Sequence, residues 1–527
     1  MFSNFDFRTH LRNLETAGLL KHVTKEVEKN WEISAVMRWV YHGNPEPKRY
    51  AVMFDHVKRY NIPVVVGAIG ASYMTYALSL GLGPMRSKPD IMNEIRKRWI
   101  KAINHPIDPV LVRNGPCKEN ILLGDEIDIH KLPVPVWTPE KDRYWKEGYG
   151  FLTSPFHITK DPETGIRNVG TYRNMLRKEP DEMGIFPSPG TDLLLHIKKN
   201  EAKGRPTEIA TVIGTDPTIG MTSVTTFPPG YDEIAISGGL REAPIELVRC
   251  ETVDLEVPAT AEFVIEGKIL PQDERLYELE GPFGEFTGHQ GGSLLNPVYK
   301  ITCITHRNNP IYQGFISEMP PSESSKLRHI STESLVLRQL EMLGIPGIVN
   351  INMPETTQSH ITIISIKKLS MGHPAKVANA LFSILQPGSG KIVIVVDDDI
   401  DVYDDDQVWW AMTFRTSMVP ERMNIHFVGG LQAVKLDYSA LPSLSSEGKI
   451  SPPMGRAAIG LFMDATRPFI PFPGVSLPPA KYLKQVKDQW ESYQLPELER
   501  EELPKAAQLE EEHLNNGMIT FPDADIE

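Results

Sequence analysis

Cysteine is scarce: Cys117, Cys250 and Cys303 are the three in 527 residues. They form no CxxC pair and their number is odd, which argues against a disulfide framework or a structural zinc site and fits a reducing compartment. An excess of positive charge is also missing. Lys and Arg total 55 against 68 Asp and Glu, a net charge of -13. Phosphate backbones attract basic surfaces, so nucleic acid is not the expected partner, while a small anion in a local basic pocket remains allowed. Long apolar runs are absent too. Residues 62–83 are broken by Pro63, Gly67, Gly70, Ser72 and Gly81 and read as strand, loop and helix rather than a membrane span. The opening MFSNFDFRTHLRNLE has no apolar signal core and reads as a helix. A cytoplasmic protein is the expectation. There is no Walker A loop, no G-x-G-x-x-G, no internal repeat and no low-complexity tract.

At this length the chain exceeds one ordinary core, and two to four domains are expected. Residues 7–40 have apolar positions at helical spacing. RYAVMFDHV and NIPVVVGAIG then read as short buried strands, and KPDIMNEIRKRWIKAI (88–103) as an amphipathic helix with Pro89 and Asp90 at its start. These form an N-terminal α/β segment, 1–115. From 116 to 320 the texture turns to β. FLTSPFHITKD and IRNVGTYRNML flank a Pro-Glu-Thr-Gly turn and predict a hairpin, and TDLLLHIKKNEAKG predicts a helix ending at Gly204. Many short strands with few helices suggest a barrel-like sheet. From 321 to 477 strands and helices alternate, as in a second α/β layer domain. Residues 478–527 are charged and helical and end in an acidic segment, expected to wrap a partner subunit or fray. The fold class is thus mixed α/β (α+β).

Several stretches bear on chemistry, each with a plainer alternative. ELEGPFGEFTGHQGG (278–292) puts Glu280 and Glu285 on the rims of a tight turn, with Glu278 on the same face as Glu280 if the pleat holds. Two carboxylates in unequal surroundings can divide binding from proton delivery. They can equally be solvated turn acids, and the acids alone leave both open. NVGTYR (168–173) ends in Arg173, whose planar fork suits a carboxylate, although alone it reads as a surface arginine on a hairpin. PPGYDEIAISGG offers Asp232 and Glu233, where a hard cation or simple solvation is possible. GTDPTIGMTSVT is a Gly/Thr/Ser-rich stretch able to wrap a phosphate. VVDDDIDVYDDDQVWW (395–410) reads as a strand end, a turn and an acid-capped helix start rather than a metal site.

In their order, NVGTYR, IGTDP, ELVRCETVDLEVPATAEFVIEG, EGPFGEFTG and KIVIVVDDDIDVYD resemble the UbiD family of decarboxylases, from about residue 45 to about 465. That resemblance implies a central domain like the split β-barrel of flavin reductases and a C-terminal oligomerisation domain. It implies a homo-oligomer, dimer or hexamer. It also implies prenylated FMN, a divalent metal such as Mn, and K+, with a flavin prenyltransferase supplying the cofactor. The implied reaction is reversible, non-oxidative decarboxylation of an aromatic or heteroaromatic acid, releasing CO2 through a covalent bond between substrate and cofactor. A phenolic acid, a ring dicarboxylate or an aromatic acyl-CoA such as phthaloyl-CoA are the candidate substrates. A flavin oxidoreductase on the same barrel, or an inactive scaffold subunit, are the alternatives, and an intact acid–arginine–acid set argues against both.

By the same resemblance Arg173, Glu280 and Glu285 are catalytic. Arg173 holds the substrate carboxylate, Glu280 pairs with it, and Glu285 protonates the carbon that CO2 leaves. Asn168 and Glu233 match metal ligands that bridge to the cofactor phosphate, and Lys391 matches a basic residue near it. Thr222, Ser223 and Thr225 match the loop whose backbone oxygens hold the monovalent cation. Where the family commonly has a histidine ligand this chain has Thr191 and Asp192. Asp192 is the candidate third ligand, with His196 one turn further on; the alternatives are a metal held by fewer protein ligands or a replaced metal. His289 and Gln290 replace an aromatic pair and are expected in a more polar substrate pocket.

Overall fold

The structure is a computed structural model and describes residues 6–85, 87–137, 150–188, 190–228, 230–291, 294–385, 390–419, 423–432, 457–468 and 475–498. The chain divides into two compact units, Met1–Leu335 and Val336–Glu527.

The first unit begins with the helix Phe7–Thr16, capped by Asp6, whose carboxylate accepts from the Thr9 N–H. The stretch 7–40, helical in its apolar spacing, is two helices with a strand between them. Gly18 (φ 73°) ends the first, Leu20–Val23 pairs in parallel with Ala51–Phe54, and the second runs Glu32–Gly43. Apolar spacing did not reveal this because the partner strand lies thirty residues on, and ladder pairing overrode local pattern. The N-terminal sheet orders Leu20–Val23, Ala51–Phe54, Val64–Val66 and Tyr312–Gly314, the last donated from far along the chain. Lys88–Asn104 is helical as expected, capped by Ser87 with Pro89 in its first turn.

The central strands form an eight-stranded sheet. Phe156–Lys160 and Arg167–Thr171 make the expected hairpin, and Thr207–Ile213, Phe263–Ile269 and Leu294–His306 continue the path to Glu182–Gly184. The two ends of that path do not pair, so a closed barrel is not what the ladders show. The hairpin ladder stops at Phe156↔Thr171 and resumes as the separate pair Phe151–Leu152 with Asn174–Met175. A single bridge, Leu176↔Met183, reaches the far end. The interruption falls where Arg173 leaves the ladder. The two sheets share one apolar core, in which Phe54, Val64 and Tyr312 join Phe263, Ile265 and Tyr299.

The helix Glu323–Met342 starts in this unit. The Glu323 carboxylate accepts backbone N–H bonds from Gly67 (2.9 Å), Ile69 (2.8 Å) and Gly70 (3.0 Å), and burial pushes its pKa up to about 7. Gly70 packs closely on it, since a Cβ there would sit 3.2 Å from Glu323.

The second unit holds a five-stranded mixed sheet. Ile361–Ile366, Ile392–Asp397 and Ala457–Ala465 are parallel, with antiparallel Ile348–Asn352 and Ile425–Gln432 at its edges. The acid run behaves as read from sequence: Asp404 caps the helix Asp405–Phe414, while Asp397 and Asp399 bind Arg415. Of the tail, Ala480–Asp488 is helical, and its acidic end from 499 lies outside the described residues. Among the described residues, no helix is long and apolar enough to cross a membrane. The three cysteines are free, Cys117 and Cys303 buried and Cys250 partly so.

Candidate active site

The strand Tyr277–Glu280 pairs antiparallel with Leu294–His306. Beyond Glu280 the chain folds back on itself. Gly284 bridges Gln290, the Glu285 N–H donates to His289 O (2.9 Å), and the Gly291 N–H donates to Phe283 O (2.8 Å). Gly288 closes the bend at φ 89°, with its N–H on Glu285 O (2.9 Å). The carboxylates differ in surroundings. Glu278 is 42% exposed and pairs with Arg177, whereas Glu280, on the same face, is 1% exposed. Glu285 is 12% exposed and stands over Gly291, where a Cβ would sit 2.7 Å from its Oε1.

Arg173 joins the two acids across the break in the hairpin ladder. Its Nε donates to Glu280 Oε1 at 2.5 Å and its Nη1 to Glu285 Oε1 at 2.6 Å. The rings of Phe186 and Phe283 lie against the guanidinium, centroids at 4.4 and 5.1 Å. Burial opposes the arginine's charge, but the two carboxylates outweigh it and raise its pKa. Among the described residues, Glu280 Oε2 is buried without a hydrogen-bond partner, as is Ser154 Oγ on the segment opposite Arg173.

A second cluster lies on the strand Arg167–Thr171. Glu233, first residue of the helix Glu233–Arg241, is 6% exposed and accepts the Val169 N–H at 2.9 Å. Burial first, then the charges of Asp232 and Asp192, push its pKa up to about 8. It is no solvated turn acid, unlike its neighbour Asp232, which caps the helix and pairs with Arg167. Asn168 is 7% exposed. Tyr172 reaches both Asn168 and the start of the helix Asp192–Glu201 through Thr191 and Leu193. Asp192 is exposed at that helix start, and His196 is buried with Nδ1 on Thr159 Oγ1 at 2.9 Å.

The stretch 214–225 is a short helix, Pro217–Thr222, rather than a loop. Asp216 caps it and Pro217 opens it. The carbonyls of Thr222 and Ser223 each take one N–H, from Thr225 (3.0 Å) and Thr171 (3.1 Å). The Thr225 hydroxyl bonds Met221 O at 2.8 Å.

Beside Glu285 opens a cavity of about 280 Å³, lined by His289 and Gln290 together with Trp31, Trp137 and Glu318. A second guanidinium, Arg328, acts on Glu285 through space and lies 4.9 Å from the Phe286 ring. Trp31, Trp137, Glu318 and Arg328 were not foreseen from sequence. They come from distant segments, and no local pattern marks them.

Comparison with known proteins decides the class. Residues 11–99, 110–320 and 327–451 match the N-terminal, Rift-related and C-terminal domains of 3-octaprenyl-4-hydroxybenzoate carboxy-lyase, UbiD. The chain belongs to the UbiD family. It is a carboxy-lyase of the class that depends on prenylated FMN. It is 33% identical over 452 residues to the phenolic acid decarboxylase of Sedimentibacter hydroxybenzoicus, covering 83% of this chain and 88% of that one. The vanillic acid decarboxylase of the same organism, in open form, superimposes with a TM-score of 0.77 at 29% identity over 93% of this chain and 99% of that one. An evolved dimeric form of the UbiD-class enzyme HmfF from Pelotomaculum thermopropionicum, in complex with prFMN, gives 0.73 at 30% identity, with 90% and 97% covered.

The residues present fit the UbiD cofactor and a cation. Among the described residues, Ser154 Oγ and Glu280 Oε2 are buried polar atoms with no hydrogen-bond partner and can meet a ligand. Glu233 is a buried carboxylate facing acids, a state a divalent ion relieves. Among the described residues no group of three or more His, Cys, Asp or Glu forms a metal cluster, so Asn168 would have to complete any set with Glu233 and Asp192. His196 is committed to Thr159. Lys391 belongs to the second unit, where it precedes the strand Ile392–Asp397 and its backbone bonds His360 and Leu461.

Proposed function

We propose that the protein decarboxylates a free aromatic or heteroaromatic acid, with Arg173 binding the substrate carboxylate and Glu285 returning the proton. The observation that carries this is the Arg173 guanidinium, 8% exposed, which holds Glu280 through Nε and Glu285 through Nη1. Glu280 fixes the arginine's orientation from a buried strand end. Glu285 occupies a guanidinium N–H that an incoming carboxylate can take over. The arriving anion displaces Glu285 toward the cavity, since two like charges on one site oppose each other. When bound, the prenylated flavin supplies the electron sink for the bond to CO2. Glu285 then protonates the vacated carbon and recovers its proton from solvent. The 280 Å³ cavity suits one substituted ring, near the lower end of small-molecule sites at roughly 300 Å³, which favours a free acid over a CoA ester.

Asn168, Glu233 and Asp192 would hold the divalent ion, and the carbonyls of 222–225 a monovalent one. Metal content of Asp192→Ala by elemental analysis tests the first: a fall is expected, and unchanged occupancy removes Asp192 from the set. The reaction itself is tested by co-expression with a flavin prenyltransferase and a CO2-release screen over aromatic acids and their CoA esters. Release from at least one free acid, lost together with its binding in Arg173→Ala, is the expected result. Release from CoA esters alone, or from none, rejects the proposal.

A further inference from the structure

The helix Glu323–Met342 carries a cation that the reaction described so far leaves unused. Around it on the helix the polar side chains are committed. Glu323 accepts three backbone N–H bonds, and Lys326 Nζ donates to Glu46 Oε1 at 2.8 Å. His329 pairs with Ser325 O through Nδ1 (3.0 Å) and with the Tyr73 hydroxyl through Nε2 (3.1 Å). Arg328 differs from them. Its Nε is buried without a hydrogen-bond partner, and among the described residues no carboxylate bonds its guanidinium. The guanidinium lies 4.9 Å from the ring of Phe286, and the anion acting on it is Glu285, the residue before that ring. Burial pushes the pKa of Arg328 down, and the charge of Glu285 pulls it back up. A buried cation without a paired anion is costly. A guanidinium held near an acid without bonding to it therefore points to a state of the site in which that acid needs it.

At rest Glu285 sits on Arg173 Nη1 at 2.6 Å. The other charged and titratable groups around it are Glu280 across that arginine, His289 in its own turn, Glu318 on the shared cavity wall and Arg328 from the helix. Once a substrate carboxylate takes Arg173, that arginine is shared between substrate and Glu280. The bond from the ring to the carboxylate then breaks, CO2 leaves neutral, and the Glu285 proton goes to the vacated carbon. The negative charge that entered with the substrate ends on Glu285 while CO2 still fills the place on Arg173. We infer that Arg328 is a positioning residue for the proton donor, balancing the Glu285 carboxylate until it returns to Arg173. This rests on the reading of Glu285 as that donor. An uncharged residue at 328 would leave the new carboxylate facing Glu280 and Glu318 without this cation.

The test titrates holoenzyme by infrared difference spectroscopy, saturated with the tightest binder among benzoate, 4-hydroxybenzoate and 2-furoate. The carboxylic acid band that Glu285→Gln removes belongs to Glu285. In parallel, kcat is followed against pH. A nearby opposite charge favours the charged form of an acid, so in Arg328→Met the band should persist about 1 pH unit higher than in wild type. The alkaline fall of kcat should move up with it, and Arg328→Lys should restore both. Arg328→Gln takes the place of Arg328→Met if that variant does not fold. An unmoved band overturns the inference while CO2 release still supports the decarboxylase. An unmoved band with lost binding of terephthalate also overturns it, and assigns the guanidinium to a second substrate carboxylate. A band that moves while kcat keeps its pH profile, or while no acid releases CO2, upholds the pairing of Arg328 with Glu285 and rejects Glu285 as the proton donor.

Discussion

Arg415 and Arg173 each stand between a pair of acids, and they serve opposite ends. In the second unit Arg415 donates to Asp397 at 2.9 Å and to Asp399 at 2.7 and 2.6 Å, and Arg467 adds its own N–H to Asp397 at 2.7 Å. Two cations meet two anions, all close to the helix Asp405–Phe414. In the first unit Arg173 meets Glu280 and Glu285, Glu280 keeps an unpartnered oxygen, and Glu285 faces a cavity. A finished ion-pair set holds a fold together. An unfinished one leaves room for a substrate to complete it.

The sharpest way to break this comparison is to substitute one acid in each set. Glu285→Gln should lower turnover by roughly 10²–10⁴-fold, the usual weight of a general acid, with flavin absorbance retained. Near-normal product formation by that variant removes Glu285 as the proton donor. Asp399→Asn should leave kcat intact but destabilise the second unit by about 3–5 kcal/mol, as a buried pair stripped of one partner does. A denaturant midpoint equal to wild type would show that the set is not structural.

A subtler variant leaves every charge in place. Gly291→Ala puts a methyl 2.7 Å from Glu285 Oε1 and should displace that carboxylate. A misplacement of about 1 Å can cost on the order of 100-fold in rate, so kcat should fall with little change in melting temperature. Unchanged kcat would mean that the hairpin yields without moving the acid.

The smallest effect is in pH. Burial pushes Asp397 up to about 6, opposed by the Arg467 backbone N–H and by the charges of Arg415 and Arg467, while the Asp399 charge adds to the rise. Asp399 is buried as well, but its two bonds to Arg415 hold it below the ordinary value. For Asp397 the folded state binds the proton more tightly than the unfolded chain. Its contribution is therefore fully present below about 4 and lost as pH rises to about 6. Asp399 runs the other way, losing its contribution as pH falls below 3.8. Measured against Asp397→Asn, wild type should lose roughly 2–3 kcal/mol of stability between pH 4 and 6. A flat difference would show that Asp397 is not strained by burial.

How much of this was legible in sequence varied with the range of the interaction. The hairpin around Pro162–Gly165 and the helix Lys88–Asn104 carry their turn and capping residues locally and were read correctly. The helix Pro217–Thr222 had its Asp-Pro start in plain view, yet its glycine and hydroxyl side chains suggested a loop. The strand Leu20–Val23 was missed because only its distant partner makes it a strand. In the site, Arg173, Glu280 and Glu285 were grouped through resemblance to a family, not by spacing, and the structure places them in contact. Trp137 and Glu318 carry no such mark. Their meeting on one cavity wall is a property of packing, and packing cannot be read one residue at a time.

The N-terminal sheet has a consequence for how the chain is made. Arg8 binds Glu262, 254 positions away, and Val64–Val66 waits for Tyr312–Gly314 to pair beside it. At about 5–20 residues per second, a ribosome takes tens of seconds to supply that strand. Until then the early helices and strands stand with an open edge, an invitation to wrong pairing. What looks like a first domain in sequence order is therefore among the later parts of this unit to be completed.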